Sequence, residues 1–188
     1  MSDIKHIVCP SCTAINRIPA AKVEARPACG KCRKALFNQH PVTLSSDNFQ
    51  KHINRNDIPV VVDFWAPWCG PCKQLGPLLE KVVTEANGAV RMVKIDIDQN
   101  QQIAQQLRIQ SIPAVYAFYK GQPVDGFQGA VPESQIREFV KRLSDQAGSA
   151  PKSPVDEALE QAQALVEAGD FTQAGALYAQ LVQHAPDN

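Results

Sequence analysis

Between residues 46 and 143, the spacing of hydrophobic positions changes repeatedly between that of a helix and that of a strand. This pattern predicts that helices and strands follow one another along the chain. Continuous apolar or β-branched runs at 60–64 and 114–119 are typical of buried strands, and residues 90–97 alternate enough for another strand. Helical spacing and capping residues predict helices at 46–53, 72–85, 101–107 and 133–143, and a turn at 120–123 leads into a strand at 123–128. This order predicts the α/β fold class, with helices covering a central mixed sheet.

Two of the predicted helices carry features that set their packing. Pro77 lies inside the helix at 72–85, so we expect a kink there, because proline cannot donate the helical hydrogen bond. The helix at 133–143 is amphipathic and should pack on the sheet through one apolar face. That face is formed by Ile136, Phe139, Val140 and Leu143.

Length and charge limit the classes of function. The chain has 188 residues, enough for one medium domain with small additions. Its 19 Lys and Arg residues balance 19 Asp and Glu residues, so no net charge attracts nucleic acid or a membrane surface. The N-terminus contains no apolar signal-peptide core, and apolar runs such as 58–62 are too short to cross a bilayer. We therefore expect a cytoplasmic protein without nucleic-acid or membrane partners.

Six cysteines in a chain of this kind favour metal or redox chemistry over structural disulfides. Cys69 and Cys72 follow the strand at 60–64 and a Trp-Ala-Pro-Trp turn, where a helix should begin. Cysteines at i and i+3 of a helix share one face, so a disulfide can open and close with little backbone motion. Unpaired N–H groups at the helix start favour a thiolate, the nucleophile of disulfide exchange. A CxxC pair alone also occurs in zinc sites, so its position gives the stronger evidence.

This part of the chain resembles the thioredoxin family. Residues 65–72 match the family's active-site segment throughout, and the similarity extends from about residue 42 to about residue 143. Further matches are the buried carboxylate at Asp63, the helix-kinking Pro77, the core strand at 93–96, the cis-proline loop at Ile112-Pro113 and the glycine loop at Gly129-Ala130. The resemblance implies a thioredoxin fold and a protein-disulfide reductase that needs no organic cofactor.

The resemblance also implies roles for individual residues. Cys69 attacks a substrate disulfide, and Cys72 resolves the mixed disulfide with Asp63 as proton acceptor and Lys94 as the neighbour of Asp63. An aspartate in an apolar strand can instead be partly exposed or simply paired. A second group should hold an extended substrate strand: Trp68, Gly70, Pro71, Ile112, Pro113, Gly129, Ala130 and Val131. The implied partners are disulfide-containing protein substrates and an NADPH-dependent thioredoxin reductase.

The other four cysteines form a zinc-ribbon pattern. The pairs Cys9–Cys12 and Cys29–Cys32 are separated by residues 13–28, and each pair offers two thiolates from one tight turn. The segment has few large apolar residues, so one structural Zn²⁺ per chain could supply the missing folding free energy. Reduced loop cysteines or two disulfides are the alternatives. His6 and His40 flank the pattern and are expected to be bystanders, because four cysteines already fill the coordination shell.

Zinc ribbons also bind nucleic acid, but that function requires a basic face. Lys31, Arg33 and Lys34 are basic, yet no long basic stripe or interleaved aromatic residues surround them. The segment, with the sequence between its cysteine pairs, instead resembles the zinc-binding extension of the bacterial thioredoxin 2 group.

The C-terminal sequence changes character after the predicted last helix. Residues 146–154 are rich in Pro, Gly and Ser and predict a linker, and residues 155–188 have the length of one tetratricopeptide repeat. We expect a helical hairpin there, with apolar positions at Ala162, Leu165, Tyr178 and Leu181. The resulting domain division is 1–40, 41–145, 146–154 and 155–188.

Two functions therefore follow from the sequence. The first is a protein-disulfide reductase acting through the Cys-Gly-Pro-Cys dithiol. Thioredoxin domains followed by such repeats resemble the chaperedoxins, so the alternative is a redox-linked holdase chaperone. In that alternative the repeat exposes an apolar face that binds clients or a folding chaperone.

Overall fold

The computed structural model describes residues 4–23, 25–37 and 40–148, together with residues 162, 166, 171, 173–175 and 178. The chain divides after Gly148 into two units, Met1–Gly148 and Ser149–Asn188, and each is considered by itself. The described residues of the second unit are helical, but most of the predicted hairpin at 155–188, including Leu165 and Leu181, lies outside the described residues.

A five-stranded mixed sheet forms the centre of the first unit, and a separate two-stranded hairpin precedes it. The hairpin consists of β1 Ile4–Val8 and β2 Ile15–Pro19. The sheet consists of β3 Val42–Thr43, β4 Val60–Trp65, β5 Arg91–Asp96, β6 Ala114–Tyr119 and β7 Gln122–Gln128. Its strand order is β3-β5-β4-β6-β7, with β3, β5 and β4 parallel and β6 and β7 antiparallel to their neighbours.

Helices cover both faces of the sheet, which confirms the predicted α/β thioredoxin fold. They are α1 Ser46–Asn54, α2 Gly70–Glu85, α3 Gln101–Gln106 and α4 Glu133–Gly148. Side chains of α2 and α4 form one core cluster with Val61, whereas α1 and α3 share the other with Val60 and Val62. Because neighbouring residues of a strand point to opposite faces, Asp63 falls on the same face as Val61, beneath α2.

Several boundaries differ from the sequence prediction. Helix α2 begins at Gly70, two residues before the predicted start, because Cys69 already acts as its N-cap. Helix α4 continues to Gly148, beyond residue 143 and into the first residues of the predicted linker. The pattern analysis did not identify β1, β2 or the two-residue β3. Among the described residues, no helix combines the length and apolar character needed to cross a lipid bilayer.

The N-terminal extension has its own small core, and that core includes a residue of the main domain. Ile7, Ile18, Leu36 and two of the cysteines are buried together with Ile58, which lies two residues before the sheet strand β4. The backbone N–H of Asp57 also donates to the carbonyl of His6 at 2.9 Å. The extension is therefore packed on the thioredoxin-like part of the same unit.

A buried arginine joins these two parts. Arg91, the first residue of β5, is only 7% exposed, and its guanidinium donates to the carbonyl oxygens of Val8 and Leu36 in the extension. Its carbon Cζ lies 5.5 Å from the ring centroid of Phe37. Burial lowers the pKa of Arg91 to about 10, so the side chain is still charged at neutral pH. Both carbonyls thus receive charge-assisted hydrogen bonds, which are stronger than neutral ones.

Replacement of Arg91 tests this attachment. Arg91→Lys keeps the charge but loses the planar fork that reaches two carbonyls, so we expect the free energy of unfolding to fall by about 1–3 kcal/mol. Chemical denaturation followed by circular dichroism measures the change. Arg142→Lys is the matched control, because Arg142 is surface-exposed and pairs with Asp125, and there we expect a change within about 0.5 kcal/mol. Equal losses in the two variants would contradict a special role for Arg91.

Candidate active site and metal centre

The redox cysteines lie at the junction of β4 and α2. Cys69 is the N-cap of α2, and its Sγ accepts a hydrogen bond from the backbone N–H of Cys72 at 3.2 Å. The two cysteines form a disulfide, with a Cα–Cα distance of 5.3 Å, and both are buried. Pro71 occupies the first turn of α2, where the missing N–H costs nothing. The start of the helix thus presents the N–H of Cys72 to the sulfur of Cys69, an arrangement that favours a thiolate there.

Trp68 forms an exposed surface beside this pair. Its side chain is 68% exposed, and its Nε1–H donates to Asp98 Oδ2 at 2.9 Å. That bond fixes the orientation of the indole. Gly70 and Pro71 are also exposed, so the buried disulfide is bordered by accessible residues. Asp98 was not identified from the sequence, since nothing in its own neighbourhood distinguishes it from other exposed carboxylates.

Asp63 is a buried carboxyl on the face of β4 that α2 covers. It is 1% exposed, and neither of its oxygens has a hydrogen-bond partner among the described residues. Burial raises its pKa to about 6, and this effect exceeds the opposing influence of the Lys94 ammonium. A carboxyl with this pKa is mainly ionised at neutral pH and still accepts a proton readily.

Lys94 lies directly across the sheet from Asp63, as the parallel register of β4 and β5 dictates. Its Nζ is 3.9 Å from Asp63 Oδ2 and 3.4 Å from Glu80 Oε1. The same ammonium lies 5.2 Å from the ring centroid of Trp65. The structure therefore brings Asp63 and Lys94 together, and it adds Glu80, which the sequence analysis missed.

Gly76 is a second residue that sequence reasoning missed. A Cβ at this position would lie 3.4 Å from Lys94 Nζ and 3.9 Å from Asp63 Oδ2. The absence of a side chain therefore leaves room for the ammonium beneath α2. Cys72, Gly76 and Glu80 are spaced four residues apart, which places them on one face of the helix. This spacing was the signal that could have identified both missed residues.

The loop before β6 reaches the same end of the sheet. Ala114 pairs with Phe64 in antiparallel register, so Pro113 lies near the turn that follows β4. The Ile112–Pro113 peptide is cis, as the resemblance implied. Gly129 donates its backbone N–H to the carbonyl of Pro113 at 2.8 Å and has a φ of +83°, which favours glycine. The structure thus brings the proline loop and the glycine loop together, with Ala130 exposed and Val131 partly buried.

The four cysteines of the extension converge on one point. Their sulfur atoms all lie within 4.8 Å of one another, and the separations are 3.6 Å for Cys9–Cys32 and 3.7 Å for Cys12–Cys29. Tetrahedral Zn²⁺ with Zn–S bonds of about 2.3 Å requires sulfur separations of about 3.8 Å. The donor set therefore fits zinc in both chemistry and spacing.

The two cysteine turns support this fit by their similar backbone geometry. The N–H of Ser11 donates to Cys9 Sγ and that of Lys31 to Cys29 Sγ, both at 3.4 Å. Such bonds stabilise negative charge on sulfur, but burial, which is the largest influence, and the neighbouring thiols of Cys32 and Cys12 together raise the pKa of Cys9 to about 12. A thiolate at Cys9 therefore needs a cation as its partner.

The two flanking histidines have other partners. His6 Nδ1 lies 2.7 Å from Asp57 Oδ2, and His40 Nδ1 lies 3.6 Å from Glu80 Oε2. Among the described residues, the candidate metal cluster contains the four cysteines and neither histidine.

Comparisons with known proteins agree with both sites. The thioredoxin family model matches residues 40–142, and a model described as the N-terminal region of thioredoxin 2 matches residues 8–34. Thioredoxin C-3 of Corynebacterium nephridii is 35% identical over 144 residues, which cover 76% of this chain and 99% of that protein. Thioredoxin 1 of a Nostoc species is 37% identical over 99 residues, which cover 53% of this chain and 92% of that protein.

A solved structure gives the same result. A mutant thioredoxin from Halobacterium salinarum NRC-1 superposes with a TM-score of 0.52 at 26% sequence identity, and the match covers 57% of this chain and 94% of that one. The buried cysteine pair, the matched models and these relatives lead to one conclusion: this chain belongs to the thioredoxin family and is a thioredoxin-type disulfide oxidoreductase with a zinc-ribbon extension.

Proposed function

We propose that this protein reduces disulfide bonds in protein substrates through Cys69 and Cys72. The observation that carries the proposal is the cysteine pair itself, which lies at the N-terminus of α2, on the helix that covers the buried carboxyl of Asp63. A helix N-terminus stabilises the attacking thiolate, and a buried carboxyl with a raised pKa accepts the proton of the second thiol.

The reaction begins with the reduced dithiol. The Cys69 thiolate attacks one substrate sulfur, a Cys69–substrate disulfide forms, and the substrate disulfide breaks to release the other sulfur as a thiolate. Asp63 takes the proton of the Cys72 thiol. The Cys72 thiolate then attacks Cys69 Sγ, which forms the Cys69–Cys72 bond and releases the second substrate thiolate. The substrate gains two electrons, and the enzyme is left with its disulfide.

The surface around the pair suits an extended peptide. Trp68, Gly70, Pro71 and Ala130 are exposed, and Ile112 is partly exposed. Backbone groups of a loop can pair with an extended strand and hold its cystine against Cys69 without demanding a particular sequence. The residues assigned to substrate binding thus favour protein substrates in general.

The oxidised enzyme must be reduced again. We assign this step to a thioredoxin reductase that draws electrons from NADPH, as the family resemblance implies. This chain itself then needs no organic cofactor, because the two sulfur atoms carry both electrons. A cytoplasmic location remains a prediction from the sequence.

The zinc site is assigned a structural role, with one Zn²⁺ per chain. Cys9, Cys12, Cys29 and Cys32 would hold the ion and cross-link the two ends of the extension. We propose residues 1–40 as this extension and 41–145 as the catalytic domain, followed by a linker at 146–154, whose first three residues belong to α4, and a repeat at 155–188. The small core around Ile7 and Leu36 depends on the same turns that present the sulfur atoms.

A second function is a holdase activity of the C-terminal segment. Phe171 is 70% exposed and Val166 is also exposed on helical backbone, whereas Ala162 and Ala174 are buried. An exposed aromatic and an exposed branched side chain give this helical segment an apolar surface. Such a surface supports the proposal that the segment binds unfolded clients or a folding chaperone.

Single cysteine variants test the reductase assignment. We expect Cys69→Ser to abolish insulin reduction, because the attacking thiolate is lost. Cys72→Ser should accumulate mixed disulfides with substrates, since the resolving thiol is lost. Mass spectrometry of trapped adducts measures this difference. Adducts on Cys69→Ser but not on Cys72→Ser would show that the two roles are reversed.

Metal analysis tests the structural site. The purified protein should contain one Zn²⁺ per chain, and Cys29→Ser should lower the zinc content and the order of residues 4–37, because three sulfur ligands do not complete the tetrahedron. Cys72→Ser is the matched control and should retain the full zinc content. A variant lacking Cys29 that holds zinc as tightly as the parent would refute the four-cysteine assignment.

Removal of residues 149–188 tests the holdase function. Insulin reduction should change little, whereas suppression of client aggregation should weaken, because the exposed apolar side chains are lost. Phe171→Ser in the full chain provides a milder variant, and we expect it to weaken the same protection. Undiminished protection in both proteins would exclude the C-terminal segment as the client-binding surface.

A further inference from the structure

Glu80 and Asp63 both lie close to one ammonium group. Lys94 Nζ is 3.4 Å from Glu80 Oε1 and 3.9 Å from Asp63 Oδ2, and its position above the Trp65 ring restricts it further. One ammonium cannot make its shortest contact with both carboxylates at the same time. The distances show that Glu80 is the nearer partner.

Solvation explains why Glu80 is preferred. The Glu80 side chain is 23% exposed, whereas that of Asp63 is 1% exposed. A partly solvated carboxylate keeps its charge at little cost, but an ion pair with Asp63 requires that both charges lose water. Lys94 is itself partly exposed, so pairing with Glu80 lets the ammonium retain contact with solvent.

We propose that Glu80 is a positioning residue for disulfide exchange. Its carboxylate competes with that of Asp63 for the Lys94 ammonium and so prevents Asp63 from being held in a tight ion pair. An aspartate in a close ion pair is a poor proton acceptor, because protonation would break the pair. An aspartate whose counter-ion is drawn toward another carboxylate can take the Cys72 proton. This inference rests on the proposed role of Asp63.

The other groups around Asp63 leave this competition as the main electrostatic control. Strand β5 contributes Lys94, and helix α2 contributes Glu80 and Cys72 on one face. Strand β6 places the apolar Val115 opposite Asp63, and α4 contributes apolar side chains to the adjoining core. Burial is the largest influence on the pKa of Asp63, while Lys94 lowers it and Glu80 raises it.

His40 lies on the outer side of Glu80. Its Nδ1 lies 3.6 Å from Glu80 Oε2, the oxygen that does not face Lys94, and its ring is largely exposed. The residue lies just before β3, where the extension joins the sheet. Glu80 therefore has a polar neighbour on its outer side, while Lys94 lies on its inner side.

The pKa of Asp63 in Glu80→Gln tests the proposal. Carbon-13 NMR of the side-chain carboxyl in the full-length protein reads this pKa directly, and Asp63→Asn assigns the signal. With Glu80 neutral, Lys94 should move toward Asp63, so we expect the pKa of Asp63 to fall by about half to one unit. A second measurement is the pH profile of the rate at which substrate is released from the mixed disulfide in a single turnover. Its acidic limb should move to lower pH by the same amount, because Asp63 stays ionised to lower pH.

Two controls separate positioning from a general charge effect. Glu85→Gln removes the same charge from the same helix, but Glu85 pairs with Arg137, so the pKa of Asp63 should not change. In a Lys94→Met background, Glu80→Gln should lose most of its effect on Asp63, since no ammonium remains to be redirected.

The outcomes distinguish the two proposals. An unchanged Asp63 pKa in Glu80→Gln, or an equal shift with and without Lys94, would overturn the role of Glu80. A pKa that shifts as expected while the pH profile of substrate release stays fixed would confirm that Glu80 competes with Asp63 for Lys94, but it would refute Asp63 as the base and with it the positioning role of Glu80 in disulfide exchange.

Discussion

Strand β4 is buried along nearly its whole length, and the chemistry of the site depends on this burial. The strand lies in the middle of the sheet, with β5 on one side and β6 on the other. Any polar residue in it is removed from water, which is why Asp63 has a raised pKa although a lysine is close by. The same strand delivers Cys69 to the start of α2, and its register with β6 places Pro113 at the same end of the sheet. One buried strand thus carries Asp63, leads into Cys69 and sets the alignment of the proline loop.

A different problem arises where the extension meets the sheet. A segment with a small core cannot remain docked through apolar contact alone, so it needs strong local links. The four cysteines bring the two turns of the extension together, and Arg91 links the extension to β5 through the carbonyls of Val8 and Leu36. Val8 precedes a cysteine of the metal site directly, so the geometry of that site and the position of the arginine constrain each other. The cost of burying a guanidinium is offset because its donors meet fixed carbonyls and Phe37 covers it.

The sequence predicted the parts of the molecule that depend on local pattern. The runs around Val61 and Val115 and the cysteine spacing follow from short-range order, whereas the cis-proline loop was expected only from the family resemblance, and the structure has all of them in the expected arrangement. It did not predict β1 and β2, because Ile4–Val8 and Ile15–Pro19 are short and mix charged and apolar residues, and they become strands only by pairing with each other. The sequence analysis did not identify Arg91 either, for a related reason. Its partners, Val8 and Leu36, are far from it in sequence, and backbone carbonyls leave no signal in composition.

Glu80 shows how little local pattern alone reveals about a site, because its spacing from Cys72 and Gly76 indicates a shared helix face but not its contact with Lys94. On helix α2 it is one of several charged residues, and its importance comes from Lys94, on a strand that lies beneath it in the fold. The ammonium is shared between a carboxylate that keeps some water and one that has none, so the difference in solvation decides which pairing is preferred. Gly76 belongs to the same argument, because a larger residue would take up the space in which Lys94 lies between them. In a site of this kind, two carboxylates that are buried to different extents share one ammonium as their counter-ion. Its behaviour therefore follows from the three-dimensional placement of Asp63, Lys94 and Glu80 and not from any one of them alone.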